Sequence, residues 1–187
     1  MTIPSSGNHD EIVAAVQSWL ERAVIGLNLC PFARAVHVKG QIRYTVTRAT
    51  EPAQLVEALT EELSYLHGCD PQQTETTLLI HPWVLEDFSD YNEFLDIADV
   101  ILASMGLEGE IQIASFHPDY QFSGTQRGDV GNYTNRSPFP ILHLLPEDSI
   151  DRAVASVPDT DAIYKRNIAT LNQLGPEGWA KLFRKNE

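Results

Sequence analysis

Ser115-Phe116-His117-Pro118-Asp119-Tyr120-Gln121-Phe122 ends an alternating, strand-like run from Glu110 to Phe116 and opens a long stretch with almost no apolar periodicity. That stretch includes Asn132-Tyr133-Thr134-Asn135-Arg136-Ser137-Pro138 and gives way to a second apolar run, Ile141 to Leu145. An irregular segment of that length is uncommon in a compact domain unless it has a function. This one also gathers imidazole, carboxylate, phenol, amide and guanidinium groups.

The flanking sequence supplies the scaffold. Ile12, Val13, Val16, Trp19, Leu20, Ala23, Val24 and Leu27 form a helical stripe. Leu55, Val56, Leu59, Leu63 and Leu66 form a second, and Tyr91, Phe94, Leu95, Ala98, Ile101 and Leu102 a third. Gln41 to Thr47 and Thr76 to His81 read as strands. Val36 to Val38 reads as a shorter one, which with Lys39-Gly40 makes a hairpin. Pro31 suits a first helical position, so Cys30 reads as the cap of a short helix. Pro146-Glu147-Asp148 opens a helix, and a further one runs from Asp159 to Gly175-Pro176, with a short helix to Phe183. Strands alternating with helices predict an α/β fold. The expectation is a single domain over residues 8–183, with tails at 1–7 and 184–187. Its centre is a mostly parallel sheet of about four strands flanked by helices, with the long irregular loop before the last strand. That last strand arrives from a loop, which leaves it free to run antiparallel.

The 187-residue chain carries a formal charge of −13. That balance argues against nucleic acid or an anionic membrane as partner, since both call for a positive surface. It leaves room for a small anionic ligand held by local arginines. No apolar run is long enough to span a bilayer, and the polar N-terminus does not read as a signal peptide. Two cysteines in dissimilar contexts fit a reducing, cytoplasmic setting.

His81 and His117 each close a strand and each precede a proline. Ligands of parallel sheets bind beyond the carboxyl ends of the strands, so both imidazoles are expected at one edge. Cys30 is the nucleophile candidate, because a helix N-terminus favours thiolate; the alternative is a small buried hydrophobe. His117 suits a general acid/base with Asp119 orienting it, although Asp119 also suits an Asx turn. Arg136 with Asn135 can clamp a carboxylate or phosphate, or Arg136 can bridge to an acid of its own chain. Tyr120, His81 and His143 complete the candidate binding set. His143 alternates with Ile141 and Leu145, as a core histidine also would. No standard metal or cofactor motif is present, and the cofactor is unknown. His81, His117, Asp119 and His143 form a dispersed alternative set for zinc or iron.

Asn28-Leu29-Cys30-Pro31-Phe32-Ala33, the Ser115 to Phe122 segment and Asn132 through Leu145 together resemble the DUF1415 family of uncharacterised bacterial and plant proteins. The likeness covers about residues 10 to 183. Pro146 stands where the family pattern suggests Arg. The resemblance implies no activity, cofactor or catalytic residue. Three functions remain as expectations. The first is a hydrolase or an acyl or thiol transferase acting on a small anionic substrate through Cys30, His117 and Asp119. The others are a metal-binding protein and a non-catalytic ligand-binding or interaction module. Oligomeric state is not legible.

Overall fold

Near-continuous apolar runs belong to strands covered on both faces, whereas alternating runs belong to strands with a polar face. The computed structural model, which describes residues 8–155 and 160–184, follows that rule. The strands are β1 (Ile42–Val46), β2 (Thr76–Ile80), β3 (Ile111–Phe116) and β4 (Ile141–Pro146), in the sheet order β1-β2-β4-β3. The apolar β2 and β4 are central and the mixed β1 and β3 are edges.

β1 and β2 are parallel, and β4 runs antiparallel to both β2 and β3. The single α/β domain is as expected, but its sheet is mostly antiparallel in pairing. β1, β2 and β3 do point the same way. The returning β4 inserts between β2 and β3, because it comes back from a loop with no helical crossover. Of the expected tails, residues 1–7 and 185–187 lie outside the described residues, as does the helix start placed at Asp159.

One face of the sheet is covered by α3 (Pro52–Gly68) and α4 (Phe88–Ser104). Leu55, Leu59, Leu63, Tyr91 and Phe94 pack there on Leu79, Leu142 and Leu144. The α3 start is held by a reciprocal capping box between Glu51 and Gln54. The α4 start is capped by Asp87, whose carboxylate accepts from the Ser89 and Asp90 N–H groups.

The other face carries α1 (His9–Trp19), a π-helical continuation (Leu20–Ile25) and α2 (Ala33–Val38). Ile12, Val16, Trp19 and Ala23 pack there on Leu78, Ile80 and Ile141. α5 (Glu147–Val154) follows β4, and α6 (Thr160–Leu182) closes the chain. The expected hairpin at residues 36–47 is not formed, because Val36 to Val38 belong to α2. Gly40 has φ 68° and acts as the glycine of a Schellman stop. Gln41 N–H donates to Val36 O (2.9 Å) and Gly40 N–H to His37 O (3.0 Å).

α6 breaks at Gly175 (φ 64°, ψ 175°), just before Pro176. The break turns Trp179, Leu182 and Phe183 onto the α1 face. Arg22, from the π-helical turn, donates to Leu182 O at 2.8 Å. A guanidinium at that position satisfies a terminal carbonyl and opposes the helix dipole.

The fully buried Tyr91 joins α4 to the sheet. Its hydroxyl donates to Ile141 O (2.8 Å) and accepts from Phe116 N–H (3.1 Å). Phe116 and Ile141 are partners at the end of the β3–β4 ladder, where residues 117–140 leave and return. Tyr91→Phe should therefore destabilise the fold by about 1–3 kcal/mol, because the Ile141 carbonyl and the Phe116 amide each lose a hydrogen bond to the hydroxyl. Urea unfolding measures this, and an unchanged midpoint would contradict the assignment.

Candidate ligand site

Residues 117–140 are irregular but internally bonded. Buried Asn132 is their hub. Its Oδ1 accepts from Phe122 N–H (3.0 Å) and the Thr125 hydroxyl (2.9 Å), and its Nδ2 donates to Gln126 O (2.8 Å). A 3-10 turn, Val130–Asn135, carries Asn132. Gly131 lets that turn lie against α6, since a Cβ there would come within 2.8 Å of Ile168. At the base, His117 N–H donates to Asn135 O (3.1 Å) and Asn135 Nδ2 to Ser115 O (2.9 Å).

This segment and the end of α6 enclose a cleft of about 330 Å³. Trp19, Tyr133, Trp179 and Phe183 supply aromatic walls, and Arg136 and Asp119 supply charge. The Arg136 guanidinium lies 4.8 Å from the Tyr133 ring centroid. Its Nε donates to Tyr120 O (3.2 Å) and its Nη2 to Arg127 O (2.6 Å). Among the described residues no carboxylate pairs with it. The bridge to an acid that the sequence allowed is thus not formed there. A guanidinium has five N–H donors, so donors remain for a ligand. Asp119 instead pairs with Arg127 at 2.7 Å.

The other candidates fall into two groups on opposite faces of the sheet. His81 and His117, both fully buried, meet around Tyr91 on the α4 face, at centroid distances of 5.7 Å and 5.1 Å. His81 Nδ1 donates to Val84 O (3.0 Å), and its Nε2 has no hydrogen-bond partner among the described residues. His117 accepts from Asp119 N–H at Nδ1 (3.0 Å) and donates from Nε2 to Leu85 O (3.3 Å). Asp119 therefore fixes the His117 ring through its backbone, while its carboxylate faces Arg127. Burial pushes His117 below the usual histidine range and His81 down to about 4. Tyr120 packs on Phe88 and Phe122, and its hydroxyl lies 3.3 Å from Ser115 Oγ.

Cys30 and His143 lie on the α1/α2 face, lining an apolar cavity of about 40 Å³. That is room for a few waters and not for a substrate. Thr76 Oγ1 donates to Leu144 O (2.6 Å), so its contact with His143 Nε2 (2.8 Å) has the imidazole as donor. The little surface His143 exposes meets this apolar cavity, and burial takes its pKa to about 3. Burial likewise pushes the Cys30 thiol up, outweighing the Ala33 and Phe32 N–H groups that favour thiolate. Cys30 and His117 are thus not a coupled pair. The four-ligand metal set is split between faces, and no group of three or more His, Cys, Asp or Glu side chains among the described residues can hold a metal ion.

The segments that build this half of the molecule are those that carry the resemblance, and a family model described as a protein of unknown function (DUF1415) matches residues 11–181. The chain belongs to the DUF1415 family. No curated protein and no solved structure matches it. Of the residues proposed for this DUF1415 protein from sequence, Arg136 and Asp119 line the aromatic cleft, while Asn135, Tyr120, His81 and His143 are held in structural bonds or packing. Trp19, Tyr133, Trp179 and Phe183 were not among them. The available signal was the Gly175-Pro176 break followed by Trp179 and Phe183 at an (i, i+4) spacing.

Two outcomes follow from the buried groups. In a Cys69→Ser background, iodoacetamide should alkylate Cys30 at neutral pH at least about threefold more slowly than free cysteine; faster labelling would contradict the apolar setting. His81 and His143 have folded pKa values below the unfolded value of about 6.5. Each therefore stabilises the fold fully above that value, and the contribution is lost as pH falls toward the folded values of about 4 and about 3. Urea midpoints should begin to fall below pH of about 6.5, before ordinary carboxylates titrate. A flat profile down to pH of about 5 would contradict this.

Proposed function

We propose that this protein binds a small anionic molecule in the cleft between residues 117–140 and the end of α6, with Arg136 as the charge-recognising group. The observation that carries the reading is a guanidinium at a concave site with no carboxylate partner among the described residues. Two backbone carbonyls and the Tyr133 ring fix its plane before any ligand arrives. Such preorganisation lowers the entropic cost of binding. In a chain of net charge −13, long-range repulsion disfavours polyanions.

The non-catalytic ligand-binding module is thus the reading with the most support. A Cys/His hydrolase or transferase has less, because Cys30 and His117 sit on opposite sheet faces and the thiol is held protonated. The α4, α1 and α6 helices give no span, since no helix among the described residues is long and apolar enough to cross a membrane.

Titration with acetate, benzoate and phosphate at constant ionic strength tests the reading, followed by the ¹H–¹⁵N signal of the Trp179 indole. At least one of these anions should move that signal saturably, and Arg136→Gln should remove the effect. A signal unmoved by all three would contradict the proposal.

A further inference from the structure

We infer that the cleft selects a planar aromatic monocarboxylate, an inference that rests on the anion-binding reading of Arg136. The walls give the first reason. Tyr133 and Trp179 are in ring contact (5.1 Å, 35°), and Trp179 meets Phe183 edge-on (5.6 Å, 69°). Arg136 lies over the other end of this series, above Tyr133. A ligand whose carboxylate meets Arg136 therefore has its remaining atoms beside aromatic rings. A flat ring gains most from such a surface through offset or edge-on contacts.

The charge is set by what else lines the cleft. Arg136 is its one cation among the described residues, and Asp119 is in the same lining. Arg127 is already paired with Asp119. With Asp119 countered by Arg127, the single guanidinium of Arg136 suits a monoanion. A phosphate monoester, near two negative charges at neutral pH, lacks the second cation it needs. Sugar hydroxyls are also poorly served, since Ser137, the one aliphatic hydroxyl in the lining, is committed to Phe139 O.

Size limits the class further. A volume of about 330 Å³ is at the small end of the range for small-molecule sites, about 300–1,000 Å³. It accommodates a ring with a short acid chain. The recognised group is a carboxylate that accepts parallel N–H bonds from Arg136, with its ring on Trp179 and Phe183. The end of α6 is placed by the Gly175 break and held by Arg22 on Leu182 O.

Calorimetric titration of the full chain with 3-phenylpropionate, acetate, phenyl phosphate and 3-phenylpropan-1-ol tests the class. 3-Phenylpropionate should bind at least about tenfold tighter than each of the others. Arg136→Gln should weaken it by about tenfold or more and leave the alcohol within about twofold. Trp179→Leu should weaken all three ring-bearing probes. Acetate binding as tightly as 3-phenylpropionate would overturn the aromatic class and leave the anion reading standing. Phenyl phosphate or the alcohol binding as tightly would overturn the monocarboxylate assignment. No binding of any probe up to about 10 mM would bring down both readings. Should either variant lose its fold by circular dichroism, the affinity order of the unaltered protein decides.

Discussion

The Tyr91 hydroxyl is the constraint on which the rest depends. It sits under the sheet from α4 and binds the last amide of β3 and the first carbonyl of β4. Between those two atoms the chain makes its whole excursion through residues 117–140. A segment of that length has a large closure entropy unless its ends are held together. With the ends fixed, Asn132 and Asn135 can organise the interior by side-chain-to-backbone bonds where no regular ladder is available. The guanidinium of Arg136 inherits its position from this frame, because both carbonyls it binds, Tyr120 and Arg127, belong to the same excursion.

The sheet divides the chemistry of the molecule into two isolated compartments and one open site. On the α4 side, His81, His117 and Tyr91 form a buried aromatic and imidazole cluster. On the α1/α2 side, Cys30 and His143 face an apolar cavity. Burial shifts these groups toward their uncharged forms, which suits packing and works against thiolate–imidazolium chemistry. The open cleft lies past the strand ends, where α6 comes back over Trp19. Its charge recognition comes from an arginine restrained by backbone carbonyls, and its walls from residues far apart in sequence.

Much of the scaffold was legible because each element had a local signal: helical stripes on α1, α3 and α4, apolar runs for β2 and β4, and Gly175-Pro176 for the break in α6. The shared neighbourhood of His81 and His117 was also legible from their places at strand ends. The order of strands was not, because whether β4 returns beside β3 or between β2 and β3 depends on tertiary packing. Val36-His37-Val38 misled because β-branched residues favour strands, yet the fold needed Ala33 and Val36 on one helical face. The separation of Cys30 from His117 was hidden for a related reason. Phe116 points to the α1 face, so His117 takes the other, and no local pattern states which helix covers which face. The aromatic walls escaped notice because Trp19, Tyr133 and Trp179 come together only through the α6 turn.

Amide hydrogen exchange, compared between the native protein and Tyr91→Phe, tests the central claim most directly. Phe116, His117 and Arg136 should be protected in the native protein. In the variant all three should exchange faster, while Leu79 in β2 should keep most of its protection. Unchanged protection at those three amides, or a uniform loss across the sheet, would contradict the claim that one buried hydroxyl holds the excursion closed.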